Sequence, residues 1–350
     1  MGIKRILTLT LALALVVGGM FYLRQRGSGE TQPLRVLTWS NYYPDSLLKE
    51  FTSKTGVHVE LSYMSSNEEL FAKLRAGATG YDLIQPSDYM VRRLSMLKML
   101  SPVDPAALPH LKDLDDFYRN LPYDPGLKYS VPFTWGTTGI ALNVDKVKIP
   151  AEGVSWKMLF ESPDGQHTSL LDDMREVFGA VLSWKGLSLN STKTDDLGMA
   201  RQEISKARNR ILTFSSEPRP LLLKGEVNIA HVFSVDANQA HKENASIQYF
   251  IPKEGGTIWT DNFSIPITGK RKVEAHAFID FWLEPENALR LIRENTLATP
   301  NKTARLLLTP EEQNDINTYP TGETLKKLHF LEDIGDTLND MNRMWTELKS

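Results

Sequence analysis

The stretch that decides the fold is residues 34–84, LRVLTWSNYYPDSLLKEFTSKTGVHVELSYMSSNEELFAKLRAGATGYDLI. A short apolar strand is predicted over residues 34–39. Pro44-Asp45 then begins a helix with apolar residues on one face, and Gly56 ends it. Apolar residues alternate over residues 57–63, which predicts a second strand.

The same stretch continues with a second helix and a third strand. Residues 66–69, SNEE, match the capping box that begins many helices, and residues 81–84 form the third strand. A strand–helix–strand–helix–strand order predicts a parallel sheet with right-handed crossovers. Ligands of such sheets bind beyond the carboxyl ends of the strands. Those ends carry residues 39–42, WSNY, and 86–89, PSDY, so we expect both to contribute to one pocket.

A second α/β region follows the first. Residues 129–143 are predicted to cross between the two regions, and Thr260 to Pro266 to return. Further strands are expected at residues 169–171, 227–230 and 247–251, and helices from Ser155 and around Phe278. The fold class expected is α/β, with two α/β lobes, crossing hinge strands and a ligand cleft between the lobes. The expected lobes are residues 34–138 plus 262–305, and residues 139–261 plus 306–350.

Composition excludes several classes of protein. The 350 residues carry a net charge of −3, which gives no support to nucleic-acid binding. The absence of cysteine excludes disulfides, thiolate metal sites, a cysteine nucleophile and a lipidated N-terminal cysteine. Seven histidines lack metal-ligand spacing, and no G-x-S-x-G elbow occurs. We therefore expect no catalytic residues, no metal and no cofactor.

The N-terminus resembles an export signal. Lys4-Arg5 precede the uncharged run ILTLTLALALVVGGMFYL at residues 6–23. This run is long for a signal core and short for a bilayer span, which needs about 20 residues. No small-x-small cleavage motif follows Gly19, and Arg24 and Arg26 come soon after. Residues 1–30 are therefore interpreted as a signal peptide or an N-terminal membrane anchor, with the rest of the chain in the periplasm.

Six collinear motifs resemble one protein family. They are residues 37–42 (LTWSNY), 86–89 (PSDY), 131–136 (VPFTWG), 172–178 (DDMREVF), 225–228 (GEVN) and 252–261 (PKEGGTIWTD). In this order they resemble the bacterial periplasmic spermidine/putrescine-binding proteins, and residues 299–301 and 319–320 extend the match. The resemblance implies a type II periplasmic-binding-protein fold that holds a polyamine between its lobes and delivers it to the permease of an ABC transporter at the inner membrane.

The resemblance also implies the residues that bind the ligand. They are Trp39, Ser40, Asn41, Tyr42, Ser87, Tyr89, Asp173, Glu176, Phe233, Asp236, Trp259 and Asp261. A polyamine alternates ammonium groups with methylene runs, so its site needs carboxylates at intervals and flat aromatic walls between them. Without the resemblance, Asp173 and Glu176 would be interpreted as a helix cap and an ordinary first-turn acid. The helix N-terminus is expected to keep both ionised.

Three positions depart from the family patterns and leave the preferred polyamine open. Asn41 stands where the family has an acid, and Leu331 stands where spermidine-selective members have glutamine. Phe233 replaces a tryptophan of the putrescine-selective members, which also carry an acid at the position of Asp236. Asp88 could compensate for Asn41, although a solvated loop acid is the simpler interpretation.

Three other functions are compatible with parts of the sequence. Paired carboxylates occur in glycosidases, so an enzyme is one alternative. A binding protein for an anion would need arginine, serine and helix N-termini in the cleft, and the acids argue against it. A membrane-retained polyamine sensor would need a signalling partner, because the chain contains no signalling domain.

Overall fold

A computed structural model describes residues 32–40, 42–77, 80–162 and 166–349. The leader at residues 1–30 and Asn41 lie outside the described residues. No helix within the four described ranges is long and apolar enough to cross a membrane.

The first lobe is built on a small parallel sheet. Its strands pair in the order β2–β1–β3, and both pairs are parallel. This confirms the predicted βαβαβ unit, and α1 ends at Gly56 with φ +72° as expected. The elements are β1 (Leu34–Thr38), α1 (Asp45–Thr55), β2 (Val59–Tyr63), α2 (Asn67–Arg75), β3 (Leu83–Ile84) and α3 (Asp88–Met96).

Only one of the two hydrogen bonds of the predicted capping box forms at the start of α2. The Ser66 side chain accepts a hydrogen bond of 3.2 Å from the Glu69 backbone N–H, as the motif requires. The Glu69 carboxylate does not return to Ser66. It accepts instead from the backbone N–H and the hydroxyl of Ser65, at 2.8 and 2.7 Å.

Two long strands cross between the lobes. β4 (Val131–Asn143) is continuous over the predicted crossing segment. β9 (Gly256–Phe263) pairs with it antiparallel and begins before Thr260, where we expected the return strand to start. Before β4 the chain forms two short 3-10 turns (Pro105–Ala107 and Pro109–Asp113) and α4 (Asp116–Arg119). After β9 it forms α10 (Lys272–Leu283), α11 (Pro285–Asn295), α12 (Lys302–Leu306), α13 (Pro310–Gln313) and α14 (Gly322–Lys326).

The second lobe surrounds the far half of β4. Its mixed sheet has the order β10–β9–β4–β7–β5–β6, and β8 also pairs with β4. The helix predicted from Ser155 is a single turn, α5. The elements are α5 (Lys157–Phe160), β5 (Thr168–Leu171), α6 (Met174–Trp184), α7 (Thr194–Ala207), β6 (Ile211–Ser215), α8 (Arg219–Leu223), β7 (Ile229–Phe233), α9 (Ser234–Glu243), β8 (Ile247–Phe250), β10 (Leu328–His329) and α15 (Thr337–Lys349).

Each lobe has its own hydrophobic core. In the first lobe, Phe51 of α1 and Phe278 of α10 pack edge to face with ring centroids 5.1 Å apart. In the second lobe, Phe178 of α6 and Trp345 of α15 belong to one buried cluster. The C-terminal helix therefore packs in the second lobe. The exact lobe boundaries expected from the sequence remain a prediction.

Candidate functional site

A cavity lies between the two lobes. All of the predicted ligand-binding residues that the structure describes line it: Trp39, Ser40, Tyr42, Ser87, Tyr89, Asp173, Glu176, Phe233, Asp236, Trp259 and Asp261. Asn41 is among the predicted residues but lies outside the described ranges.

Asp261 is held by hydroxyl groups from the first lobe. It lies on β9 opposite Thr134 and is 3% exposed. The Ser87 hydroxyl donates to its Oδ1 at 2.5 Å, and the Tyr42 hydroxyl donates to its Oδ2. Asn67 positions Ser87, since it donates to the Ser87 hydroxyl at 3.0 Å and accepts from the Ser87 backbone N–H at 2.9 Å. Burial raises the pKa of Asp261 to about 6, although both hydroxyl bonds favour its ionised form.

Asp173 and Glu176 face the cavity from the N-terminus of α6. Asp173 caps the helix, and its Oδ1 accepts from the backbone N–H groups of Arg175 and Glu176 at 2.9 and 3.1 Å. Asp173 is therefore both a helix cap and a cavity residue, whereas the sequence analysis treated these two roles as alternatives. The Glu176 carboxylate accepts from the Thr257 hydroxyl at 2.9 Å.

The expectation that the helix N-terminus keeps both α6 acids ionised is not met by Glu176. Burial raises the pKa of Asp173 above its ordinary value, and it raises the pKa of Glu176 to about 8. The two neighbouring carboxylates also repel each other, which raises the pKa of Glu176 further. Removal from water thus outweighs the field of the helix end. An ammonium group between these carboxylates would restore their charged forms.

Asp236 is a third acidic residue of the second lobe. It lies in the first turn of α9 and is half-buried at the cavity wall. Burial raises its pKa to about 7, and the nearby Arg219 opposes that rise. Burial raises the pKa of Tyr42, and the nearby charges of Asp261 and Asp236 raise it further, so these two acids act on the same hydroxyl.

Aromatic rings form part of the cavity wall. The Trp39 indole is fixed by a hydrogen bond of 3.0 Å from Nε1 to the Gln85 backbone carbonyl. Phe233 and Trp259 meet edge to face, with centroids 5.9 Å apart and an interplanar angle of 87°. Trp259 packs directly over Gly136, where a Cβ would lie 2.5 Å from its Cζ2. The flat walls are therefore set by packing before any ligand contact.

Tyr89 connects the two lobes at one end of the cavity. Its hydroxyl donates to Glu68 of α2 at 2.9 Å. The Arg175 guanidinium of the second lobe lies 5.2 Å from its ring centroid. Burial and the charge of Asp173 raise the pKa of Glu68 to about 7. Glu68 is thus an acid of the first lobe close to Asp173 of the second.

The interpretation of Asp88 as a solvated loop acid is wrong. Asp88 is 1% exposed and begins α3, and its carboxylate accepts from the backbone N–H groups of Tyr89 at 2.6 Å and Thr260 at 3.1 Å. Burial raises its pKa to about 8. It therefore ties α3 to β9, a role invisible in the sequence because Thr260 lies far along the chain.

Other lining residues that were not predicted are Met64, Ser65, Asn67, Ser216 and Val235, and Leu331 also lines the cavity.

The donor set fits an organic cation better than a metal. Among the residues that the structure describes, no group of three or more histidine or acidic side chains is placed to hold a metal ion. The carboxylates instead share the lining of the cavity with aromatic side chains. That arrangement suits a ligand whose positive charges are separated by apolar segments.

Comparisons with known proteins agree with this geometry. Residues 46–321 match the family model of the bacterial extracellular solute-binding protein. Spermidine/putrescine-binding periplasmic protein 1 of Haemophilus influenzae is 36% identical over 89% of this chain and 88% of its own length. A putrescine-binding periplasmic protein of Escherichia coli is 33% identical over 92% of this chain and 93% of its own.

A solved structure supports the fold in the same way. The spermidine/putrescine ABC transporter substrate-binding protein of Streptococcus pneumoniae superposes with a TM-score of 0.74 at 31% identity, over 91% of this chain and all of that one. The predicted α/β fold of the type II periplasmic-binding-protein class is confirmed. The chain belongs to the family of bacterial extracellular solute-binding proteins.

Proposed function

We propose that this protein binds a polyamine, spermidine or putrescine, between its lobes and delivers it to the permease of an ABC transporter. The observation that carries the proposal is the lining of the cavity. Asp173, Glu176, Asp236 and Asp261 converge on one buried space whose walls are aromatic. Relatives at 33 and 36% identity are polyamine-binding periplasmic proteins, which supports the same ligand class.

The buried acids explain why the ligand is a polycation. Each carboxylate is costly to ionise away from water, and several of them share one cavity. A ligand with two or more ammonium groups compensates more of this cost than a monoamine can. Its methylene segments pack on Trp39, Phe233 and Trp259. Cation–π attraction at these rings contributes about 0.5–2 kcal/mol for each contact.

Titration calorimetry tests the proposal directly. Putrescine, cadaverine, spermidine and spermine are titrated into the protein, with n-butylamine as the monoamine control. At least one polyamine should bind with micromolar or tighter affinity, and n-butylamine should bind far more weakly. In Asp261→Asn the strongest ligand should lose at least about 30-fold in affinity, because one partner of a buried charge pair is gone. A folded protein that gives no heat with any polyamine would overturn the proposal.

We also propose that the bound ligand leaves unchanged. The relatives are substrate-binding proteins of transport systems, which supports a binding role over a catalytic one. Spermidine that has been incubated with the protein should be recovered intact by mass spectrometry. A new product that depends on Glu176 would support an enzyme instead.

Two further parts of the proposal concern location and motion. We infer that the chain acts in the periplasm, with residues 1–30 as a cleaved signal or an inner-membrane anchor. N-terminal sequencing of the protein from cells distinguishes these two fates.

We also infer that β4 and β9 act as the hinge between lobes 34–138 plus 262–305 and 139–261 plus 306–350. Small-angle scattering should then show a smaller radius of gyration when the ligand is bound.

A further inference from the structure

The segment from His329 to Asp333 separates the inner cavity from an open groove. The groove is lined by this whole segment. Asp88, Tyr89 and Leu331 line both the cavity and the groove, so they form the partition between them. Leu331 is 7% exposed. A ligand that passes between the cavity and this groove must displace the partition.

The second lobe holds the backbone of this segment. Arg175 of α6 donates from Nη1 to the Glu332 carbonyl and from Nη2 to the Asn190 side-chain oxygen, each at 3.0 Å. Asn190 donates to the Phe330 carbonyl at 2.9 Å and accepts from the Glu332 backbone N–H at 2.9 Å. Residues further on, such as Ile334, pack in the core of the second lobe. The segment therefore moves with the second lobe.

The first lobe holds the same segment through Leu331, which packs in one hydrophobic cluster with Tyr89 and Met90, and through one ion pair. Arg93 of α3 donates from Nη1 to Oδ1 of Asp333 at 2.9 Å. Both side chains are largely shielded from water, with 16% and 17% exposed. The Arg93 guanidinium also lies 4.8 Å from the centroid of the Phe71 ring of α2, which fixes it on the first lobe. Because the pair is half-buried and its arginine is held by packing, it is stronger than an exposed pair.

We propose that residues 329–333 form a gate over the cavity and that the Arg93–Asp333 ion pair is the latch that keeps the gate shut. When the lobes separate, Arg175 and Asn190 move with the gate, whereas Arg93 stays with the first lobe. Opening therefore breaks this pair and separates Leu331 from its first-lobe neighbours, while the second-lobe contacts stay intact. Neither Arg93 nor Asp333 lines the inner cavity. The latch thus controls how fast the ligand leaves more than which ligand binds.

A charge swap tests the latch. This proposal rests on the proposed function in one respect: the ligand that the gate retains is a polyamine. Arg93→Asp and Asp333→Arg should each release spermidine about 5- to 10-fold faster in stopped-flow measurements, since a half-buried pair is lost. The double variant restores the pair in reverse and should recover most of the slow release. Arg93→Met keeps the aliphatic stem over Phe71 and repeats the test with less risk to folding.

A second measurement is independent of the ligand. The chain has no cysteine, so Lys49→Cys on α1 and Gln202→Cys on α7 place one dye on each lobe. Single-molecule energy transfer without ligand should show a smaller closed fraction in each single variant and recovery in the double variant. The swap Glu323→Lys with Lys326→Glu is the control, because that pair is 82% and 71% exposed and lies within one helix.

The outcomes are distinct. Single variants that leave both the release rate and the closed fraction unchanged would overturn the latch. A double variant with the same fast release and the same small closed fraction as the single variants would also overturn the latch. A wild-type protein that binds no polyamine fails the proposed function, and the closed fraction then still decides for or against the latch.

Discussion

The Ser87 hydroxyl donates a hydrogen bond of 2.5 Å to Oδ1 of Asp261, a residue 174 positions away in the chain. The bond joins the residue that precedes α3 to the crossing strand β9. Asn67 fixes the serine from the start of α2. Two helix N-termini of the first lobe therefore orient one carboxylate toward the cavity.

Ser87→Ala should weaken this arrangement in two ways. It leaves Asp261 with one hydroxyl donor fewer and removes the acceptor of the Asn67 amide. Since both groups are buried, we expect a loss of about 1–3 kcal/mol in the free energy of unfolding and weaker polyamine binding. Urea denaturation and calorimetry measure the two effects. Ser95→Ala on α3 is the matched control, because Ser95 is only partly buried and its hydroxyl donates to the Arg92 carbonyl of the same helix. Equal losses in the two variants would contradict the prediction.

Polyamine binding should become tighter as the pH rises from 5.5 to 8. The pKa values are raised to about 6 for Asp261, about 7 for Asp236 and about 8 for Glu176. An ammonium ligand stays charged over this range, with a pKa of about 10, and favours the ionised carboxylates. Binding therefore releases protons. Calorimetry in phosphate and in Tris should give different apparent heats, and Glu176→Gln should reduce the number of protons released. Identical heats in both buffers would contradict this.

The same shifts make the unliganded protein less stable at high pH. A carboxyl whose pKa is higher in the folded than in the unfolded chain binds more protons when folded. Its contribution to stability is present below the unfolded pKa and is lost as the pH rises through the folded pKa. For these acids the loss extends from about pH 4 to pH 8. Melting temperatures should fall across that range without ligand and fall less with spermidine. A melting temperature that rises steadily from pH 5 to pH 8 without ligand would count against the raised pKa values.

Much of the first lobe could be predicted from local sequence. Its strands and helices follow from periodicity and from end signals such as Gly56, because those signals act within a few residues. The same is true of the aromatic and acidic clusters, which lie at strand ends and helix starts. The resemblance to a family then assigned those clusters to one cavity.

The features that the sequence could not reveal depend on distant partners. Asp88 is buried because the Thr260 backbone, from the other crossing strand, supplies a donor for its carboxylate. The pKa of Glu176 rises because burial removes its carboxylate from water, and the charges of Asp173 and of the distant Asp88 raise it further. Local patterns contain neither of these two facts.

Gly136→Ala should damage the cavity wall. A Cβ at this position would lie 2.5 Å from Cζ2 of Trp259 and 2.7 Å from the Ser234 hydroxyl, so the indole must move. Overpacking of this kind costs about 1–3 kcal/mol of stability, and a displaced Trp259 should also weaken polyamine binding. Thermal unfolding and calorimetry measure both.

Gly198→Ala is the control for that substitution. Gly198 is exposed within α7, and a Cβ there would meet nothing within 4 Å. Since alanine favours a helix over glycine, this variant should be more stable by about 0.5–1 kcal/mol and should bind normally. A Gly136→Ala protein as stable as Gly198→Ala would show that the packing of Trp259 is looser than the structure indicates.

Arg175→Met should destabilise the protein more at pH 8 than at pH 5. Arg175 is 1% exposed, and its charge lowers the pKa values of Glu68 and Asp173. Without the guanidinium, these buried acids are costlier to ionise, so the deficit grows as they lose their protons. The loss of its bonds to the Glu332 carbonyl and to Asn190 adds a part that does not depend on pH.

Arg175→Lys separates these two contributions. Lysine keeps the charge beside Glu68 and Asp173, but its single ammonium cannot reproduce the fork that reaches the Glu332 carbonyl and Asn190 at once. Urea denaturation at pH 5, 6.5 and 8 should therefore give a deficit of similar size at each pH for lysine, and a deficit for methionine that rises with pH. Parallel curves for the two variants would mean that Arg175 acts through its hydrogen bonds alone, and the charge of the guanidinium would then have no part in holding the acids of the cavity.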